Sequence, residues 1–349
     1  MEHSKFEIPS EMEIVDCFCN VNCEIFTYED VHNFLINNAP NKAITDRFIS
    51  WCVSFKLIPF MRQRWGTTFY KAVTQYSDKI HSYFGEKMDD PLSTISMNLE
   101  NAIKPEMEKA KEWFKKGEDE LCLRKNFVVN PKTRISRIYA LLVNETRNFE
   151  YTDGTYVFGA MFLLVSSIYA ELVGLKADFA EAIAYYLTRA LLSLLPAKRL
   201  MNSHQKLTNH FENVIQMLKC YGKEHYNFFI QHNVNLFKLG MNFELFLYTK
   251  QHYLIELMNL WDQIFARIEF FSPFVQCLTI AHLTQIKIRE DINDINEYID
   301  NYKDFNTAKI INDSISMLNH KRSIIETTCF YLCPKLNKYH GYEPLNDLF

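Results

Sequence analysis

Residues 254–265 read Leu-Ile-Glu-Leu-Met-Asn-Leu-Trp-Asp-Gln-Ile-Phe. Leu254, Leu257, Leu260, Trp261 and Ile264 recur three or four positions apart, which is one face of an α-helix and not the alternation of a strand. The same spacing returns upstream in Leu207, Phe211, Val214, Ile215 and Leu218. Downstream, Ser272-Pro273 predicts an N-cap with proline in the first turn, and Phe274, Cys277, Leu278 and Ala281 continue an apolar face. Asp178 and Glu181 read as an N-cap with its reciprocating carboxylate, opening a helix over 179–195. Asp90-Pro91 is another such start. Past residue 40 no segment longer than a few residues alternates with period two. The expected fold class is all-α.

Composition agrees. Glycine and proline number 9 and 10 in 349 residues, together about 5 %, where about 12 % is usual and turn-rich β-folds use more. Hydrophobic residues make up 48 %, ample for a large core. A net charge of −4 argues against a basic nucleic-acid binder, which needs clustered Lys and Arg to displace counterions. The first residues, Met1–Glu7, join no basic stretch to an apolar run, so no secretory signal is expected. The uncharged run between Asp153 and Glu171 includes Gly154, Thr155, Gly159 and two serines. It reads as a buried core helix and not a membrane span, which wants about 20 strongly apolar residues.

Breaks are expected at 144–155, which ends in Asp-Gly, and at 196–206 and 238–242. The acidic stretch Glu290, Asp291, Asp294, Glu297, Asp300 and Asp304 lacks the glycine of a calcium loop and reads as a solvated helix face. Cys17, Cys19 and Cys23, like Cys329 and Cys333, do not follow zinc spacing and read as reduced thiols, so no metal is expected. Gly154-x4-Gly159 has the glycine spacing of a P-loop, but Ala160-Met161 stands where Lys and Ser/Thr would cradle phosphate. No other catalytic motif is present, and no cofactor is expected.

Four landmarks, in order, resemble the TBC domain, the all-helical module of Rab GTPase-activating proteins. They are Arg47-x3-Trp51 followed by Leu57-Ile58-Pro59 and Trp65; Ile95-Ser-Met-Asn98-Leu-Glu-Asn101 in the place of I-x-x-D-x-x-R; Tyr156-Val157-Phe158-Gly159 in the place of Y-x-Q-G; and Leu257-x2-Leu260-Trp261-Asp262-x-Ile264-Phe265. The resemblance spans residues 41–290 and implies a multi-helix TBC-like domain in two helical halves. Residues 1–40 are then a weakly organised N-terminal extension and 291–349 a C-terminal helical extension, with 104–132 an insertion.

TBC proteins supply an arginine and a glutamine in trans, the guanidinium neutralising charge on the γ-phosphoryl and the amide orienting the attacking water. The resemblance places Asn101 at the arginine and Phe158 at the glutamine, and Asn98 at the aspartate that would hold the guanidinium. Neither Asn101 nor Phe158 can do that work. The implied function is a Rab-binding regulator of vesicle traffic, a pseudo-GAP whose GTPase-activating function is lost or unconventional and which has no active site of its own. Asn98, Asn101, Tyr156, Phe158 and Gly159 would face the GTPase, with Asn101 and Phe158 converging on one exposed face. Arg47, Trp51, Trp65, Trp261 and Asp262 would be structural. The expected location is cytoplasmic, on vesicle or endosomal membranes through the partner. Two alternatives stand beside this: an active GAP with Arg134 as a displaced finger at a mobile junction, and a helical scaffold with no GTPase partner.

Overall fold

The helical periodicities become fifteen α-helices, with no strand among the described residues. The computed structural model describes residues 6–20, 27–37, 42–146, 151–195, 203–289 and 294–332. Cys23 and Cys333 fall outside them. The chain divides into two compact units, Met1–Leu194 with Tyr253–Ala266, and Leu195–His252 with Arg267–Phe349. No single helix among the described residues is long and apolar enough to cross a membrane.

The first unit is laid around α7 (Tyr156–Leu172), thirteen of whose seventeen residues are buried. Such a helix has no polar face because other helices cover it on all sides. It packs along α8 (Ala177–Leu194), α5 (Met97–Glu120), α3 (Ile44–Ser54) and α6 (Pro131–Glu145). The helix α12 (Leu254–Phe265) closes this unit with Leu257, Leu260, Trp261, Ile264 and Phe265 all buried.

Residues 6–20 and 27–37 are better organised than the sequence suggests. They carry α1 (Glu11–Asn20) and α2 (Tyr28–Ile36), with Ile14, Phe18, Val31 and Leu35 buried. α1 lies on α4 (Trp65–Phe84), where a Cβ at Gly66 would come within 2.7 Å of Val15 Cα. Phe18 stacks on Phe69 at 4.5 Å. A ten-residue helix with three apolar contacts has a weak pattern, and only its tertiary seat makes it legible.

The second unit contains α9 (His204–Tyr221), α10 (Lys223–Gln231), α11 (Leu236–Leu245), α13 (Phe271–Leu283), α14 (Ile295–Asn301) and α15 (Thr307–Leu332). Ser203 caps α9 by accepting from the Lys206 N–H. The break expected at 238–242 is absent: Leu239 and Phe243 carry the buried face of α11 through Gly240. The α13 helix begins at Phe271, so Pro273 lies inside the first turn, where its missing N–H has no helical partner to lose. On α14 Ile295 and Ile299 are buried while Asp294, Glu297 and Asp300 are exposed, so these acidic residues form the solvated face of an amphipathic helix.

Candidate functional site

The candidate surface is built on α5 and α7, which pack together and are joined at Glu106. Glu106, two turns into α5, is buried, and one carboxylate oxygen accepts the Gly154 N–H just ahead of α7. Its other oxygen takes the Lys109 ammonium. The carboxylate thus ties α5 to the start of α7 and opposes the positive end of the α7 dipole. Its charge also bears on Tyr156, whose phenol is pushed up to about 12, by burial first and Glu106 second. Sequence patterning gave no sign of Glu106, one acidic residue among many on a charged helix.

Asn98 and Asn101 are exposed on α5, and Met97 beside them is 75 % exposed. Tyr156 is half-buried. Phe158 is fully buried, its ring 5.9 Å from that of Trp261. Gly159 is buried as well, and a Cβ there would stand 3.1 Å from Tyr139 Cε2. The α5 and α7 segments therefore meet, but Asn101 and Phe158 do not share an exposed face. Position 158 is the third residue of a helix buried all round, so an apolar side chain there turns into the core. Asn98, Asn101 and half of Tyr156 remain on the surface, while Phe158 and Gly159 lie behind it.

Arg134 is not a mobile finger. It is 8 % exposed, and its guanidinium donates to Val129 O, Ala177 O, Asp178 Oδ1 and Glu181 Oε2. Arg137 donates to both Glu181 oxygens, and Tyr76 Oη–H to Glu181 Oε1 at 2.8 Å. Burial works to raise the Glu181 pKa, but Arg137, Arg134 and the Tyr76 hydroxyl together hold it below the ordinary value. The Asp178/Glu181 pair read as a local helix cap is instead a tertiary anchor. Asp178 Oδ2 accepts the Glu7 N–H from the N-terminal segment.

Behind the surface lies a second buried hub. Asp262 Oδ1 accepts Trp51 Nε1–H at 2.8 Å, and both its oxygens accept Arg47 Nε–H at 3.1 Å. Arg47 Nη2 and Lys42 Nζ both reach Oδ2 at 3.0 Å. Burial draws the Lys42 ammonium below its usual range, with Asp262 opposing. The neighbouring Gln263 donates to Leu35 O and Ile36 O, satisfying the carbonyl end of α2. Trp65 is buried and donates its indole N–H to Pro59 O. No group of three metal-ligating side chains occurs among the described residues.

No protein-family model matches the sequence, and no curated protein matches it. Among solved structures, the chain is similar to the crystal structure of the Ypt/Rab-GAP domain of Gyp1p. The TM-score is 0.61 at 14 % identity, covering 91 % of this chain and 100 % of that one. At that identity the likeness is one of fold: this chain has the all-helical fold of a Rab-GAP, or TBC, domain.

Proposed function

We propose that this chain is a regulator that binds a GTP-loaded small GTPase of the Rab class without driving hydrolysis through an arginine–glutamine pair. The observation that carries the reading is the state of positions 101 and 158 in a Rab-GAP fold. At 101 an exposed asparagine offers no charge, and at 158 a phenylalanine is packed on Trp261. An arginine finger contributes about 10³–10⁵ in rate, so its absence lowers catalysis far more than binding. Binding depends on contact area, and Met97, Asn98, Asn101 and Tyr156 still offer that. The Gyp1p likeness supports the fold half of this reading, and the GTPase partner follows from the resemblance of the four landmarks. Action in vesicle traffic, on the cytoplasmic side of endomembranes, belongs to the same proposal.

The test is equilibrium binding to a panel of Rab proteins, each loaded with a non-hydrolysable GTP analogue or with GDP. A member that prefers the GTP form and loses affinity about tenfold or more on Asn101→Glu or Tyr156→Ala supports the proposal. Binding by none, or binding indifferent to both substitutions, favours the helical scaffold without a GTPase partner.

A further inference from the structure

The second unit buries a carboxyl group that the candidate surface does not use. Glu244 on α11 is wholly buried, and its Oε2 lies 2.7 Å from His210 Nε2 on α9. Gln276 of α13 reaches the other ring nitrogen, Nδ1, at 3.0 Å. With the Gln276 amide N–H donating to Nδ1, the imidazole is neutral, and its Nε2–H donates to Glu244. The donor chain therefore runs from α13 through α9 to α11 and ends on a carboxyl group. Glu244 Oε1, the far oxygen, has no hydrogen-bond partner.

A carboxylate ionised in that place would carry a full negative charge against one neutral N–H, which is costly in a dry interior. A proton on Oε1 removes the charge and leaves both hydrogen bonds unchanged. We infer that the His210–Glu244–Gln276 triad is a proton-binding switch in the core of the second unit. Glu244 is a carboxylic acid at mildly acidic pH, and loss of its proton as pH rises loosens the packing of α9, α11 and α13.

The direction follows from linkage. Burial holds the Glu244 carboxyl above its ordinary value, with His210 opposing. A folded-state value raised above the unfolded one stabilises at low pH, and that stability is lost as pH rises through the raised value. Other titratable groups face the triad's surroundings. After α11, Tyr248 donates its hydroxyl to Val275 O at 2.7 Å, and its phenol is pushed up by burial and by Glu244. From α13, Cys277 is buried, and His282 Nε2 meets His252 Nε2 at 2.8 Å. On α9, Lys206 and Glu212 are exposed. His282 works in the opposite sense: burial first and His252 second hold its imidazole well below the usual range. Its contribution is present above the ordinary histidine value and lost as pH falls. Glu244 thus takes stability away from the second unit as pH rises and His282 as pH falls.

Amide hydrogen exchange of Leu236–Leu245, corrected for the intrinsic rate, tests this on the full chain from about pH 4, below the ordinary glutamate value, to about pH 9. Protection of α11 should fall as pH rises, by about tenfold for each pH unit of upward displacement of the carboxyl. Glu244→Gln, which mimics the protonated acid, should flatten that limb while matching the native protein at about pH 4, below the ordinary glutamate value. Equal slopes in both proteins would overturn the switch. Infrared spectroscopy of the native chain at pH 6 gives a reading that needs no variant. A protonated-carboxyl C=O band is expected there, where exposed carboxylates are ionised, and its absence would refute the inference.

Discussion

The Asp262 carboxylate serves Lys42, Arg47 and Trp51 at once, all of them out of solvent. Taking away its charge strands two buried cations, and breaking a buried pair from one side costs about 3–5 kcal/mol. Asp262→Asn should therefore lower the first unit's stability by that amount in urea unfolding, and a loss under about 1 kcal/mol would mean the hub is solvated. At position 158 the sequence invites restoration of a glutamine, but the site is apolar. Phe158→Gln buries an amide beside Trp261, at a cost of about 1–3 kcal/mol if it finds no partner. It should lower the melting temperature and leave hydrolysis unrestored, even together with Asn101→Arg. Orders-of-magnitude rescue by the pair would show that position 158 reaches the surface. Arg47-x3-Trp51 and Trp261-Asp262 were legible as landmarks because helical spacing puts each pair on one turn. The inward turn of Phe158 was not, since the motif's place in the chain says nothing of which helix face is covered. Nor was the capture of Arg134, whose carboxylate partners lie 44 and 47 positions away.

Helices in the first unit are joined by close approach and by charge, and each has its own test. A methyl at residue 66 would strike the backbone of α1 at Val15, which cannot yield as a side chain end can. Gly66→Ala should lift α1 from α4 and cost about 1–3 kcal/mol. Faster amide exchange confined to 11–20 and 65–84 is the expected pattern, and unchanged exchange would contradict the crossing. Glu181 links α8 to Arg134 and Arg137 of α6 and Tyr76 of α4. Its pKa is lowered in the fold, so its contribution is present above the ordinary glutamate value and lost as pH falls below it. Acid unfolding monitored on α6 should shift to higher pH in Glu181→Gln, with reduced stability at pH 7. The long helices were readable from periodicity alone. The Asp178/Glu181 spacing misled because a local cap and a tertiary anchor use the same residue types, and here two buried arginines outcompete the helix's own N–H groups.

The whole molecule has the fold of a Rab-GAP domain, and the proposal made above is that its chemistry is not kept. The fold was legible because four landmarks stand in the family's order on an all-helical periodicity. The surface was legible only in part: Asn98 and Asn101 stand on it, whereas Met97 and Glu106 carried no sequence signal. The start of α5 presents amides and an exposed methionine, and the start of α7 a half-buried phenol. The nearby carboxylate of Glu106 is engaged with Lys109 and Gly154. Nothing in that set neutralises a γ-phosphoryl. The most direct test is single-turnover GTP hydrolysis by a Rab that the chain binds, with the chain at saturating concentration. A rate within about threefold of the GTPase alone is expected, against the roughly 10³–10⁵ that an arginine finger contributes. Stimulation of about a hundredfold or more by the unmodified chain would contradict it.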